Sequence, residues 1–384
     1  MFFSCFVAVA VFWGCGVESH VVEPANSLPD RTLIDTDMVL AFVIFRHGDR
    51  TPDLEELALY STDEKYKDVF FPYGTKALTN KGKQRGFLVG RYLRRRYDGF
   101  ISRLYLPDEM TARTTNYART KMTALTAFAA LYPPQPAQQW NPNLDWQPIP
   151  YNTEDSNSDD LLYWYNCPRY LSLRNEVYKY PEIKALVQPY KSLFPYLSEK
   201  TGNNITTTED VFFLDNLFQA LENVGIKTPK WAEDVMPKIK EMTKIEYLTE
   251  FYTPELIKLA SGVLMSDILN ATNAAVAGDR DQPKLRLYSA HENNVAALMA
   301  AARVFKAHQP NYGSTFSLEL RRFKSTGKYG IAAVYARTAG GPGELLPIRG
   351  CHGQLVCDYE TFVALMQDVI WPFPEFRKQC PNLA

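Results

Sequence analysis

The polarity pattern of the chain is clearest over residues 39–45, a run of seven apolar residues rich in β-branched and aromatic side chains. A run of this length between polar residues predicts a strand buried on both faces. A second strand is predicted over 285–290, with an apolar helix over 295–305 directly after it. Alternating apolar and polar residues predict further strands over 314–320 and 329–335. Strands that are followed by helices in this way predict an α/β fold.

The middle of the chain has a different pattern. Residues 136–160 are dense in Pro, Asn and Asp, a composition typical of loops and linkers. Residues 161–258 follow with charged and aromatic residues at helical spacing and without strong strand patterns. We therefore predict a mainly helical cap over 136–258, inserted into an α/β catalytic domain that comprises 35–135 and 259–384.

Polar residues that suit phosphate chemistry follow the first two of these predicted strands. Arg46, His47 and Arg50 come after the first strand, and His291 and Glu292 come after the second. The carboxyl ends of buried strands form the ligand-binding edge of open α/β sheets. Guanidinium groups bind phosphate oxygens through several donors, and an imidazole can act as a nucleophile. The alternative interpretation, a solvated charged turn after each strand, stays open on these residues alone.

The sequence Arg-His-Gly-Asp-Arg-Thr-Pro at 46–52 resembles the signature Arg-His-Gly-x-Arg-x-Pro of the histidine acid phosphatases. These enzymes form branch 2 of the histidine phosphatase superfamily and include prostatic, lysosomal and insect venom types. The resemblance spans residues 37–380 and includes Asn-Cys-Pro-Arg-Tyr at 166–170. It implies a mixed, mostly parallel sheet flanked by helices, as in phosphoglycerate mutase, with the helical cap inserted. It also implies hydrolysis of phosphate monoesters through a phosphohistidine, without a cofactor or a metal.

The same resemblance implies a role for each residue of the site. His47 would be the nucleophile, and Glu292 would be the general acid at a position where most family members have Asp. The implied phosphate-binding residues are Arg46, Arg50, Arg119 and His291, and the implied supporting residues are Arg113 and Asp49. We expect the nearby arginines to keep His47 neutral. We also expect these cations and a helix start to hold the pKa of Glu292 at or below its ordinary value.

Charge and terminal composition restrict the partners and the compartment. The 384 residues carry a formal net charge of −1, so no global field would recruit nucleic acid or an anionic membrane. The apolar run 2–13, followed by small residues, predicts a signal peptide over 1–19 that is too short to span a bilayer. No second span is predicted. We therefore expect a secreted product without a membrane anchor, and this is favoured over the lysosomal lumen.

The cysteines and sequons agree with export. Four cysteines follow the predicted signal peptide, and this even number predicts two disulfides in one of three pairings. Zinc binding is a weaker alternative, because the cysteines lack Cys-x-x-Cys spacing. The family resemblance implies the pairs Cys167–Cys380 and Cys351–Cys357. Glycosylation sequons begin at Asn204 and Asn270.

Several functions share the implied catalytic core. A phytase or a lysophosphatidic acid phosphatase would differ in the cap, and the cap is not notably basic, which disfavours a hexaphosphate substrate. Cytosolic phosphoglycerate mutase chemistry is disfavoured by the predicted export. An exported non-catalytic binding protein or allergen should have lost site residues, and this chain retains them. The expected partner is a small-molecule phosphate monoester, and a homodimer is compatible with the resemblance.

Overall fold

A sheet of eight strands forms the centre of the fold. The computed structural model describes residues 31–60 and 69–381, and the predicted signal peptide over 1–19 lies outside the described residues. The strands are β1 (Thr36–Arg46), β2 (Met110–Thr114), β3 (Asn152–Thr153), β4 (Leu285–Ala290), β5 (Thr315–Phe323), β6 (Tyr329–Ala336), β7 (Glu344–Leu346) and β8 (Val356–Asp358).

The sheet is mixed, with the strand order β3-β2-β4-β1-β5-β6-β7 and with β8 paired to β6. The three pairings among β1 to β4 are parallel. The four described pairings that involve β5 to β8 are antiparallel. The prediction of a mixed α/β sheet is confirmed, although its antiparallel part is larger than the sequence suggested. Short connections after β5 explain this difference, because they can join only antiparallel neighbours.

Helices flank the sheet, and several lie in the segment that was predicted to form the cap. They are α1 (Arg31–Ile34), α2 (Leu54–Tyr60), α3 (Asn80–Arg96), α4 (Ala118–Leu131), α5 (Pro168–Val177), α6 (Pro181–Val187), α7 (Leu193–Thr201), α8 (Thr208–Glu222), α9 (Lys230–Glu233), α10 (Met236–Glu250), α11 (Pro254–Val276), α12 (Glu292–Ala301), α13 (Tyr359–Met366) and α14 (Phe373–Gln379). Short 3-10 turns lie at Pro136–Gln138, Trp164–Asn166 and Gln188–Tyr190.

Strand β1 supplies apolar side chains to two cores. Val43 and Phe45 pack on one face of the sheet with side chains of α3 and α4. Phe42 and Ile44 pack on the other face with side chains of α11, α12 and α13. Successive side chains of a strand point to opposite faces, so an uninterrupted apolar run fills both cores. The strand buried on both faces that the sequence predicted is therefore confirmed.

The ends of β1 and β4 are level with each other. Arg46 is paired with Ala290 in the parallel register. The backbone N–H of His47 then donates a hydrogen bond of 2.9 Å to the carbonyl oxygen of Ala290. Because the strands end together, the residues that follow them, His47 and His291, lie side by side at the carboxyl edge of the sheet. This is the edge at which the sequence predicted a ligand site.

Helices α5 to α10 all lie inside the segment that was predicted to form the cap. Two hydrophobic clusters hold them, one around Tyr170 and Tyr247 and one around Leu214 and Phe218. The second cluster also contacts Leu57 and Tyr60 of α2, a helix that the sequence pattern did not predict. The domain boundaries over 136–258 stay a prediction.

Both implied disulfides are present. Cys167, which precedes α5, is bonded to Cys380 at the end of α14, and Cys351 is bonded to Cys357. The sequon residues Asn204 and Asn270 both have exposed side chains, and their glycosylation stays a prediction. Among the residues that the structure describes, no helix is long and apolar enough to cross a membrane.

Candidate active site

The imidazole of His47 is held in one tautomer by the backbone. Its Nδ1 lies 2.8 Å from the carbonyl oxygen of Gly48, which can only accept a hydrogen bond. Nδ1 therefore carries the proton, and Nε2 presents a lone pair. The loop lies tightly against α3, because a Cβ at Gly48 would lie 2.1 Å from the carbonyl oxygen of Gly82. This close approach requires a glycine at position 48. The glycine lets the loop pack against α3, and the packed loop holds the imidazole of His47 in place.

The environment of His47 keeps its ring neutral. Burial lowers the pKa of His47 well below its ordinary value, and the charges of Arg119, His291 and Arg46 lower it further. The side chain is 1% exposed. Nε of Arg119 lies 3.3 Å from Nε2 of His47. The imidazole can therefore act as a nucleophile under acidic conditions that would protonate an exposed histidine.

Three buried arginines surround this histidine, and each is oriented by a carboxylate. Two nitrogens of Arg50 bind the two oxygens of Glu56, with Nη1 at 2.8 Å from Oε2. Nη2 of Arg119 lies 3.6 Å from a carboxylate oxygen of Asp53. Arg46 is paired with Glu292, and its guanidinium group also donates a hydrogen bond of 2.8 Å to a backbone carbonyl. Fixed guanidinium groups of this kind suit the binding of phosphate oxygens.

The sequence analysis missed the two supporting carboxylates, Asp53 and Glu56. Both follow Arg50 within six residues, at the loop exit and in the first turns of α2. Glu56 also accepts a hydrogen bond of 2.9 Å from the backbone N–H of Asp53. The sequence does contain a signal for them. Acidic residues follow the motif at 46–52 directly, and carboxylates favour the first turn of a helix.

The second strand end supplies His291 and Glu292. Nε2 of His291 lies 2.9 Å from Oγ of Thr115, and the ring centroids of His291 and His47 are 5.4 Å apart. Oε2 of Glu292 lies 4.0 Å from Nε2 of His47 and 2.8 Å from Nε of Arg46. The carboxyl group of Glu292 thus lies beside Nε2 of His47.

The pKa of Glu292 reflects two opposing influences. Burial raises the pKa of this carboxyl group, but the charges of Arg46 and Arg50 outweigh burial, so the pKa is lowered from its ordinary value. This direction agrees with the sequence-based expectation. The protonated form of Glu292, which is the form that can donate a proton, is therefore most populated at low pH.

The two residues predicted to support the site have different positions. Asp49 lies in the loop itself and binds Arg85 of α3, with Oδ1 at 3.0 Å from Nη2. It therefore ties the loop to α3, as expected for a structural residue. Arg113 pairs instead with Asp159 at 2.6 Å and is not among the residues that line the cavity above His47. Its supporting role stays a prediction.

A cavity of about 330 Å³ opens above the histidines. The residues that line it include His47, Arg50, Arg119, His291 and Glu292. The other lining residues are mostly aromatic and acidic, and they include Tyr117, Tyr163, Tyr165, Phe212, Phe213, Glu55, Glu209 and Glu250. Among the described residues that line the cavity, the arginines are Arg50, Arg119 and Arg174, and Arg174 alone of these comes from the segment predicted to form the cap.

The chain belongs to the histidine phosphatase superfamily (branch 2), whose family profile matches residues 38–331. The venom acid phosphatase of Apis mellifera is 32% identical over 331 residues, which cover 85% of this chain and 84% of that protein. The prostatic acid phosphatase of Homo sapiens is 32% identical over 353 residues, which cover 89% and 88% of the two chains. The predicted family and the predicted enzyme type, a phosphoric monoester hydrolase, are confirmed by these matches.

Solved structures with the same fold include bacterial phytases. The phytase of Citrobacter braakii has a TM-score of 0.61 and 15% identity, with 88% of this chain and 99% of that chain covered. The phytase of Klebsiella sp. has a TM-score of 0.62 and 16% identity, with coverages of 87% and 96%. Similarity at this level of identity concerns the fold alone, and it agrees with the predicted fold class.

Proposed function

We propose that the protein is a secreted acid phosphatase that hydrolyses phosphate monoesters through a phosphohistidine on Nε2 of His47. The observation that carries this proposal is the geometry around that nitrogen. The Gly48 carbonyl directs the lone pair of Nε2 toward the cavity, where Arg119 lies at 3.3 Å and Glu292 at 4.0 Å. A nucleophile, a phosphate-binding cation and a proton donor are therefore within reach of one phosphorus atom.

In the first step, Nε2 of His47 attacks phosphorus while the bond from phosphorus to the alcohol oxygen breaks. Arg46, Arg50, Arg119 and His291 hold the other phosphate oxygens and stabilise their charge in the transition state. The departing oxygen takes the proton from the carboxyl group of Glu292 and leaves as a neutral alcohol. The products of this step are a phosphohistidine and the Glu292 carboxylate.

In the second step, a water molecule attacks phosphorus and the bond from phosphorus to Nε2 breaks. The Glu292 carboxylate takes the proton from this water, which restores the carboxylic acid. Inorganic phosphate leaves, and His47 is again neutral with its lone pair free. One carboxyl group therefore serves as acid and then as base, and every proton in the cycle is transferred by Glu292.

The alternative of a phytase-like substrate is less well supported. A hexaphosphate needs cations around the whole cavity, but Arg174 is the only lysine or arginine of the described residues in 136–258 that line it. Arg174 is already paired with Glu246 and Glu209. The structures that resemble this fold include phytases, but their identity to this chain is too low to transfer a substrate.

Export is part of the proposal. Two disulfides are typical of proteins that fold in an oxidising compartment, and both sequon asparagines have exposed side chains. The predicted signal peptide over 1–19 completes this argument. We also include a homodimer in the proposal, on the basis of the family resemblance alone.

The function is tested with the purified mature protein. It should release phosphate from nitrophenyl phosphate at acid pH, and much less from inositol hexaphosphate at equal concentration. His47→Ala should be inactive toward both substrates while its circular dichroism spectrum stays that of the wild type. A His47→Ala protein with wild-type turnover would overturn the proposal, and preferred hydrolysis of the hexaphosphate would favour the phytase alternative.

A further inference from the structure

A buried carboxyl group from the segment predicted to form the cap lines the same cavity as His47 and Glu292. It belongs to Glu250, the last residue of α10, and the residue is 2% exposed. Its Oε1 accepts a hydrogen bond of 3.2 Å from the hydroxyl group of Tyr165. That hydroxyl oxygen accepts one of 3.0 Å from Nδ2 of Asn293, the neighbour of Glu292. Glu250 is thus connected to the helix that carries the proposed general acid.

Three residues from 136–258 that line the cavity each have a buried polar atom without a hydrogen-bond partner among the described residues. The atoms are Oε2 of Glu250, Nε of Arg174 and Nε1 of Trp164. Buried polar groups in folded proteins are almost always hydrogen-bonded, because an unpaired one is destabilising. Unpaired groups on several residues that line one cavity therefore point to a polar group of the ligand as a partner for Glu250 and Arg174.

The protonation state of Glu250 defines what it can bind. Burial raises the pKa of Glu250, Glu246 raises it further and Arg174 opposes them, with a resulting pKa of about 8. At acid pH Glu250 is therefore a neutral carboxylic acid. Its Oε1 is already an acceptor for Tyr165, so an O–H at Oε2 is available as a donor. Nε–H of Arg174 is also a donor, so the two unpaired groups together call for an acceptor oxygen.

We propose that Glu250 and Arg174 form a leaving-group subsite that binds a hydroxyl oxygen of the substrate's alcohol part. The preferred substrates would then be phosphate monoesters of small polyols. Glu250 is assigned here as a specificity-determining residue, and the assignment rests on the proposed phosphatase function of the same cavity.

The surroundings of the subsite favour a neutral hydroxyl group over an anionic group. The guanidinium group of Arg174 binds Glu246 and lies 3.1 Å from Glu209, so its charge is already compensated. A second phosphate would meet the carboxyl group of Glu209, which also lines the cavity. A purely apolar leaving group would leave both donors unpaired. A hydroxyl group satisfies them without adding charge to a buried region.

The test compares two substrates that differ only in their hydroxyl groups. The primary phosphate ester of glycerol and propyl phosphate have the same carbon chain and equally poor leaving groups. The wild-type protein should prefer glycerol phosphate in kcat/KM by at least about tenfold, since an unpaired buried donor costs a factor of this order. The preference should be larger in KM than in kcat, because the subsite binds a part of the substrate that does not react.

Three variants test whether Glu250 causes the preference for glycerol phosphate over propyl phosphate. Glu250→Leu should bring the ratio close to one, because leucine lacks the donor that would bind the hydroxyl group of glycerol phosphate. Glu250→Gln should keep most of the ratio, because the amide is a neutral donor and acceptor of similar shape. Glu55→Gln changes an exposed carboxylate of the same cavity, on α2, and should leave the ratio unchanged.

The proposal is overturned if the wild-type ratio is close to one, which needs no variant at all. It is also overturned if Glu250→Gln loses the ratio to the same extent as Glu250→Leu. Failure of the phosphatase mechanism has a different signature. In that case His47→Ala would retain hydrolysis of both substrates, whatever their ratio.

Discussion

The Glu292 carboxylate lies 2.8 Å from Nε of Arg46, and the same oxygen lies 4.0 Å from Nε2 of His47. A single carboxyl group is therefore shared between a phosphate-binding cation and the space where the leaving oxygen would lie. The cation favours the charged form of Glu292, whereas proton donation needs the neutral form. The negative charge of a bound phosphate offsets the positive charges of the arginines. Glu292 therefore holds a proton more readily in the substrate complex than in the free enzyme.

Substitution of Glu292 tests its role as proton donor. Glu292→Gln should lower kcat/KM for an alkyl phosphate by about 10²–10⁴-fold, the usual contribution of a general acid. It should lower kcat/KM for nitrophenyl phosphate much less, because nitrophenolate leaves without a proton. Glu292→Asp, the matched control, should retain substantial activity toward both. An equal loss for the two substrates in Glu292→Gln would show that Glu292 does not protonate the leaving group.

The pH dependence follows from the direction of the pKa shifts. Arg46 and Arg50 lower the pKa of Glu292 despite its burial, so its protonated fraction falls as the pH rises above the acidic range. The value of kcat/KM for an alkyl phosphate should therefore fall with rising pH, by about tenfold per pH unit once Glu292 is ionised. The lowered pKa of His47 should keep the nucleophile active at acid pH.

The pH profile of kcat/KM for nitrophenyl phosphate with Glu292→Gln is the reference. It reports the ionisation of the substrate and of protein groups other than Glu292. Subtraction of this profile should isolate the contribution of Glu292. A wild-type profile for the alkyl ester that is superimposable on the reference would contradict the assignment.

Glu56 should be essential for both stability and phosphate binding. It is buried with Arg50, and the two side chains are 3% and 4% exposed. Glu56→Ala leaves the buried charge of Arg50 unpaired, which should lower the free energy of unfolding by about 3–5 kcal/mol. It should also raise KM for phosphate monoesters, because Arg50 loses its orientation.

The adjacent Glu55 is the matched control for this prediction. Its side chain is exposed, so Glu55→Ala should change the free energy of unfolding by less than about 0.5 kcal/mol. Urea denaturation of both variants gives the comparison. Equal stabilities of the two variants would show that the ion pair with Arg50 contributes little.

The two disulfides should differ in their contributions to stability. Cys167–Cys380 has a sequence separation of 213 and Cys351–Cys357 one of 6. In the chain-entropy account, closure of these loops stabilises the fold by about 5 kcal/mol and about 2 kcal/mol. The double substitution to Ser at Cys167 and Cys380 should therefore be the more destabilising in thermal or urea unfolding. The reverse order would mean that strain or residual structure outweighs loop closure.

The sequence was sufficient to predict the inner part of the site. An apolar run before Arg46 indicates a buried strand, and parallel neighbours end at a common edge, so His47 and His291 could be placed together. The start of α12 was predicted too late, at 295 rather than at Glu292. The side chain of Asn294 accepts a hydrogen bond from the backbone N–H of His291, and this capping contact extends the helix toward the site.

The outer part of the site could not be predicted, because it depends on contacts between distant segments. Glu250 and Tyr165 are 85 residues apart in the chain, and no local pattern indicates that they meet above His47. The same applies to the pairing of Arg174 with Glu246. Helical spacing shows that both residues lie on helices, but not which cap helices face the cavity.

The most direct test of the account is the location of the phosphoryl group during turnover. The wild-type protein is mixed with a labelled phosphate monoester and quenched within milliseconds in alkaline denaturant, in which phosphohistidine is stable. Peptide mapping by mass spectrometry should then find phosphate on the peptide that contains His47, and none after the same treatment of His47→Ala. A label on another residue, or full turnover without any labelled peptide under these conditions, would contradict the phosphohistidine mechanism.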